Sequence, residues 1–223
     1  GVPALPEAQP VTDLLWPGDT RAGTLGSDAA VLAALVRVEA AWLSALHTHG
    51  LAESAPDLAD LAGPDDLPAL ARAAESGGNP VIPLLALLRE RLETGHPAAA
   101  RALHTGLTSQ DVLDTGLALM LRDIAGRLRA DLAAQIAALV TLAGEHRATP
   151  MAGRTLTQHA VPITFGLKAA GWLHGVLDAR DALDAAAGLP AQFGGAAGSL
   201  AAPVALAGGT GPAGALIATA AAT

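Results

Sequence analysis

The chain has 223 residues, 51% of them hydrophobic but only 2% aromatic, with no cysteine and a formal net charge of −8. The missing cysteines exclude a disulfide framework and a thiolate metal site, and they suit a cytoplasmic protein. The charges are mixed in sign, and the lack of a basic face argues against nucleic-acid binding.

With so few aromatics, the apolar content is mostly Ala, Leu and Val. Ala and Leu are strong helix formers, so the composition predicts a nearly all-α protein. Mean hydropathy is positive, and no charged residue follows Asp184. That last stretch is broken by many Gly and Pro residues, however, and a spanning helix needs about 20 predominantly apolar residues in a row. Buried helix and loop is the better reading, with no membrane span. No basic segment followed by an apolar one marks a signal peptide at the N-terminus.

Residues 1–26 hold several Pro and Gly without a clear period and read as an extended lead-in. Ser27-Asp28 is a good helix start. Val31, Leu32, Leu35, Val38, Trp42, Leu43 and Leu46 then recur at helical spacing, and Gly50 is the expected stop. Residues 56–76 suggest short helices broken at Gly63-Pro64 and at Pro68. Gly77-Gly78-Asn79-Pro80 is a turn, a helix follows over Val81–Glu93, and Gly95-His96-Pro97 ends it.

A long helix is predicted from Ser109 to His146. Thr108-Ser109-Gln110-Asp111 fits a capping box, with Asp111 in the place usual for Glu. Leu117, Leu121, Ile124, Leu128, Leu132, Ile136 and Leu139 alternate by threes and fours. At ~1.5 Å per residue such a helix is about 55 Å long. That is too long for a compact monomer of this size and predicts a bundle shared between subunits. A third helix is expected from Pro162, a residue suited to a first helical turn, to Ala186. Residues 188–202 read as a Gly-rich loop, and a last helix is expected over Pro212–Ala222. The chain ends at Thr223 inside an Ala-rich run, which reads as a truncated polypeptide.

Two dense polar segments carry the chemistry. In His104–Thr115, eight polar side chains occupy twelve positions beside a long apolar stretch. One helix cap explains Thr108 and Asp111 but not Gln110, Asp114 and Thr115. Hydroxyls and N–H groups at a helix start hold carboxylates well, and His104 can donate to the same anion. In Met151–Pro162, Arg154 is suited to a bidentate grip on a carboxylate, and Gln158 and His159 to ordering a ligand or moving a proton. The structural alternatives are a capped helix with a loop histidine and a surface turn before a helix. Together the clusters suggest one site built between helices.

Weaker candidates have plainer readings. His47 and His49 are spaced poorly for two ligands on one helical face. Gly194–Ser199 lacks the Gly-Lys-Ser/Thr of a phosphate loop. Asn79 suits a turn, and Lys168, the only lysine, suits an ion pair.

The run from His104 to Thr115 resembles the first signature region of the fumarase/aspartase superfamily of lyases. Its Ser109-Gln110-Asp111 form is most like that of the 3-carboxy-cis,cis-muconate cycloisomerases. Gly153–Lys168 resembles the second region of the same group. Gln192–Ala201 and Gly78–Pro83 also match, so the resemblance covers most of residues 27–202. It departs at Leu156, where adenylosuccinate lyases of the superfamily carry a catalytic histidine. The third region, a Gly-Ser-Ser loop bearing the catalytic serine, would lie beyond Thr223.

The resemblance implies an N-terminal helical domain over residues 1–107. Residues 108–223 would be the first part of a long-helix bundle, in a homotetramer whose sites draw on three subunits. It implies a cytoplasmic enzyme that converts a small tricarboxylate, 3-carboxy-cis,cis-muconate, to a carboxymuconolactone in protocatechuate catabolism, the beta-ketoadipate pathway. Neither metal nor organic cofactor is expected. The implied catalytic residues are His159, Ser109 and His104. Substrate binding is expected of Thr108, Ser109, Gln110, Arg154, Thr155, Gln158 and Asn79. The rivals are an adenylosuccinate-type lyase, which Leu156 opposes, and a non-catalytic oligomerisation module.

Overall fold

The computed structural model describes residues 22–222, so most of the expected lead-in, and Thr223, lie outside the described residues. Among the described residues the fold is all-α apart from one hairpin. Eight α-helices run in the order α1 Asp28–Thr48, α2 Leu67–Gly77, α3 Val81–Glu93, α4 Pro97–Ala102, α5 Ser109–Glu145, α6 Phe165–Ala186, α7 Ala201–Ala207 and α8 Thr210–Ala221. Strands β1 Pro150–Thr155 and β2 Gln158–Thr164 sit between α5 and α6.

Two compact units result. The first takes the chain up to Met120 together with the chain from Pro190 on; the second takes Leu121–Leu189. Because α5 runs through residue 120, the boundary falls inside a continuous helix.

The first unit is organised around α1. Ser27 caps its start, accepting from the Ala30 N–H at 3.3 Å. Gly50 takes the left-handed turn that ends it, with φ 72°. Leu35, Val38, Trp42, Leu43 and Leu46 are buried among residues of α3, α4 and α8. Each such side chain contributes roughly 1.5–3 kcal/mol by leaving water. α1 has the length and apolarity of a membrane span, but 61% of its most apolar window is buried inside the protein. The Ala-rich tail forms two short helices, α7 and α8, bent by 103° from each other.

Pro68 does not interrupt a helix as expected. It lies in the first turn of α2, where its missing N–H is one that a helix leaves unpaired anyway. The turn at 77–80 and α3 stand where the sequence placed them, whereas the short α4 was not foreseen.

In the second unit, the helix expected from Pro162 begins three residues later. Thr164 caps α6, its hydroxyl accepting from the Leu167 N–H at 3.1 Å. Pro162 lies in β2, paired with Ala152. In a two-stranded ribbon both strands are edges, so a proline is tolerated. The strands turn through Leu156 and Thr157, both left-handed at φ 45° and 65°, as a two-residue hairpin of this hand requires. A bulge at Gly153 shifts the register. A Cβ there would meet the Val161 carbonyl at 2.7 Å.

The first turn of α6 lies against the end of α5. The Gly166 N–H donates to the His146 carbonyl at 2.9 Å. A Cβ on Gly166 would lie 2.6 Å from the Ala143 carbonyl. Arg129 on α5 and Asp184 on α6 form an ion pair at 2.6 Å. Leu117, Leu121, Leu128 and Val140 remain exposed along α5.

Candidate functional site

The first polar cluster lies where α4 turns into α5, in the first unit. Its centre is Asp111, buried at 1% exposure. One carboxylate oxygen accepts from the Thr108 N–H at 3.0 Å. The other accepts from the Gly194 N–H at 2.8 Å and the Gly195 N–H at 3.1 Å. Asp111 therefore makes half of the expected capping box and also ties the start of α5 to the Gly-rich loop. Close by, Thr115 repeats the link: its hydroxyl accepts from the Gln192 N–H and donates to the Gln192 carbonyl, both at 2.9 Å.

The hydroxyls of Thr108 and Ser109 have no partner among the described residues and sit half-buried at the start of a 37-residue helix. The unpaired N–H groups and partial positive charge of such a terminus favour an anion. Gln110 is turned to its own helix, donating to Asp114 at 2.6 Å. Asn79 makes a local turn, its side-chain oxygen accepting from the Val81 N–H at 3.0 Å.

His104 stands at φ 66°, a left-handed conformation unusual for a non-glycine residue. Its Nδ1 lies 2.6 Å from Oε1 of Glu39, a fully buried residue of α1. The other oxygen of Glu39, Oε2, is buried without a partner. Glu39 lies outside both polar segments and carries no motif of its own. A signal was present: a carboxylate four residues after Leu35 and three before Trp42, in the stripe that α1 buries. Trp42 completes this wall. Its indole N–H donates to the Thr105 carbonyl at 2.9 Å, and its ring stacks on Phe193 with centroids 5.4 Å apart.

The second cluster lies on the hairpin of the second unit. Arg154 on β1 faces His159 on β2, and Thr155 faces Gln158, so the hairpin register brings these four together. All are exposed, and Leu156 at the tip is 88% exposed. Two grooves line α1, one beside residues 57–64 and one beside α2 and α3, and neither includes a residue of the two clusters.

The family described as Lyase matches residues 78–205. The chain belongs to this family, within the fumarase/aspartase superfamily. The chain is 49% identical over 205 residues to a nitrosuccinate lyase of Streptomyces davaonensis, covering 88% of this chain and 43% of that protein. It is 44% identical over 173 residues to a 3-carboxy-cis,cis-muconate cycloisomerase of Pseudomonas putida, covering 76% of this chain and 40% of that one. Its fold matches the crystal structure of the 3-carboxy-cis,cis-muconate lactonizing enzyme from Pseudomonas putida. The TM-score is 0.79 at 38% identity, over 87% of this chain and 45% of that one. The chain thus spans less than half the length of these relatives.

Proposed function

We propose that this chain forms part of a cytoplasmic, homotetrameric 3-carboxy-cis,cis-muconate cycloisomerase of protocatechuate catabolism. The observation that carries the reading is the start of α5, where the hydroxyls of Thr108 and Ser109, without a partner among the described residues, stand at a helix terminus four residues after His104. That is a seat for a carboxylate. The exposed leucines of α5 support assembly through the long helices.

In the proposed reaction a substrate carboxylate oxygen bonds to one carbon of a conjugated double bond, and the neighbouring carbon gains a proton. Negative charge builds on a second carboxylate next to that carbon. Donors already in place stabilise this charge without reorganising, which is where most of the rate enhancement would come from. Thr108, Ser109 and His104 would hold one carboxylate, with Gln110 and Asn79 outside the immediate contact. Arg154, Thr155 and Gln158 would hold another. His159 would orient the substrate or move the proton. The serine loop implied by the resemblance would complete the site.

The 49% identity to a nitrosuccinate lyase over most of the chain favours a second reading. Elimination from nitrosuccinate would break the C–N bond, release nitrite and remove a proton from the adjacent carbon. Nitrite is a stable anion that leaves without being protonated, which suits the aliphatic Leu156 at the hairpin tip.

One assay separates these readings. The full-length polypeptide bearing this sequence is given 3-carboxy-cis,cis-muconate, nitrosuccinate and adenylosuccinate in parallel. Loss of diene absorbance with the muconate alone supports the cycloisomerase. Nitrite release without loss of diene absorbance overturns it in favour of the second reading. Turnover of adenylosuccinate overturns both.

A further inference from the structure

Glu39 is a costly residue to keep. It is fully buried in the apolar packing of α1, and only one of its two oxygens has a partner. Burying a carboxylate is unfavourable unless it is paired and hydrogen-bonded, and here the pairing rests on a single contact, Nδ1 of His104 at 2.6 Å. His104 adds a cost of its own by holding a left-handed backbone. Such strain persists only where the surroundings enforce it, and it concentrates at functional sites. Neither cost is offset by a wider network. Nε2 of His104 has no partner among the described residues, and the side chain is 15% exposed.

We propose that Glu39 is a positioning residue for His104. Its carboxylate accepts from Nδ1–H and fixes the ring, so that, with a proton on each nitrogen, Nε2–H is the donor offered to the substrate carboxylate. At 2.6 Å, Nδ1 and Oε1 are within close hydrogen-bonding distance, the geometry that a donating ring and an accepting carboxylate would take. This rests on the reading of His104 as a carboxylate-binding group.

The test separates positioning from mere packing. Glu39→Met keeps the apolar volume and removes the buried charge. His104, which reaches solvent, is left free to go neutral. Replacing buried charge by well-packed apolar groups is often neutral or stabilising, so the variant should keep its urea midpoint. The chain is labelled with 15N-histidine, and the His104 resonances are assigned by their loss in His104→Gln. Nitrogen shifts then report which ring nitrogen carries the proton. In the parent, Nδ1 should read as protonated. In Glu39→Met it should shift to the averaged value of a ring exchanging its proton between both nitrogens. Fumarate, as a simple dicarboxylate probe, should move the Nε2 resonance of the parent and move it less in the variant.

An unprotonated Nδ1 in the parent, or unchanged nitrogen shifts in Glu39→Met, overturns the proposal. So does a parent Nε2 that ignores fumarate, because the ring would then be held for packing alone. A large loss of stability in Glu39→Met, with ring shifts like those of the parent, assigns Glu39 a structural role instead. Failure of the muconate assay with these shifts intact strikes the substrate reading and leaves Glu39 in place.

Discussion

Removing the carboxylate of Asp111 should loosen the joint between the start of α5 and the Gly-rich loop. In Asp111→Ala the N–H groups of Thr108, Gly194 and Gly195 lose their acceptor together. A hydrogen bond to a charged group is worth ~1.5–3 kcal/mol, and a buried donor left unpaired costs ~1–3 kcal/mol. The three share one carboxylate and belong to half-buried residues that water can partly reach, so their losses do not add fully. We expect a net loss of about 3–4 kcal/mol, a large share of the roughly 5–15 kcal/mol that holds a domain together. Asp111→Asn keeps one acceptor oxygen and should lose about half as much. Urea unfolding followed by far-ultraviolet circular dichroism gives the midpoint. Amide exchange at Gly194 and Gly195 gives the local effect, which should be rapid in the alanine variant. A midpoint within about 0.5 kcal/mol of the parent, the range usual for surface changes, would refute the account.

Other outcomes follow from equally local features. Gly166→Ala places a methyl 2.6 Å from one backbone carbonyl and 2.8 Å from another, so no flexible side chain can yield. It should cost at least the ~1–3 kcal/mol of ordinary overpacking, and an unchanged urea midpoint would contradict the described crossing of α5 and α6. Thr157→Gly should raise the thermal midpoint, because a left-handed non-glycine residue costs ~1–2 kcal/mol that glycine avoids; a drop would argue against the described hairpin turn. The Arg91 guanidinium, hydrogen-bonded to Asp66, and the Gly63 N–H hold the Asp66 carboxyl below its ordinary pKa. A depressed folded-state pKa stabilises the fold above the unfolded value of about 3.9 and loses that contribution as pH falls through the folded value. Asp66→Asn should therefore flatten the acid limb of the midpoint-against-pH curve below about pH 4, and an identical acid limb would remove the pair from the account.

The helices were legible wherever one chain segment carried its own start, period and stop. α1 has Ser27, an apolar stripe and Gly50; α3 lies between a Gly-Gly-Asn-Pro turn and Gly95; α5 has Thr108 and Asp111. The hairpin was not legible. Its strands are short and lack clean alternation, and Pro162 reads as a helix start unless its pairing with Ala152 is known. The polar clusters were found as clusters, yet their internal economy was not. Nothing near Asp111 says that its second oxygen serves Gly194 and Gly195, and nothing near His104 says that its ring leans on Glu39. Both facts depend on contacts made across 65 to 84 residues of chain.

The first unit is also discontinuous in sequence, closed only when residues 190 and beyond return to it. This bears on how the protein acquires its structure. During synthesis, α1 to α4 and the start of α5 emerge while Asp111 and Thr115 still lack the loop that they will hold. The whole hairpin and α6 must follow before Gln192 to Gly195 arrive. Contacts so distant in sequence are slow to form because the closure entropy is met before any reward. The nascent first unit should therefore wait, with the Trp42 face uncovered, until Phe193 closes over it. That interval is when the protein is most open to a chaperone or to self-association.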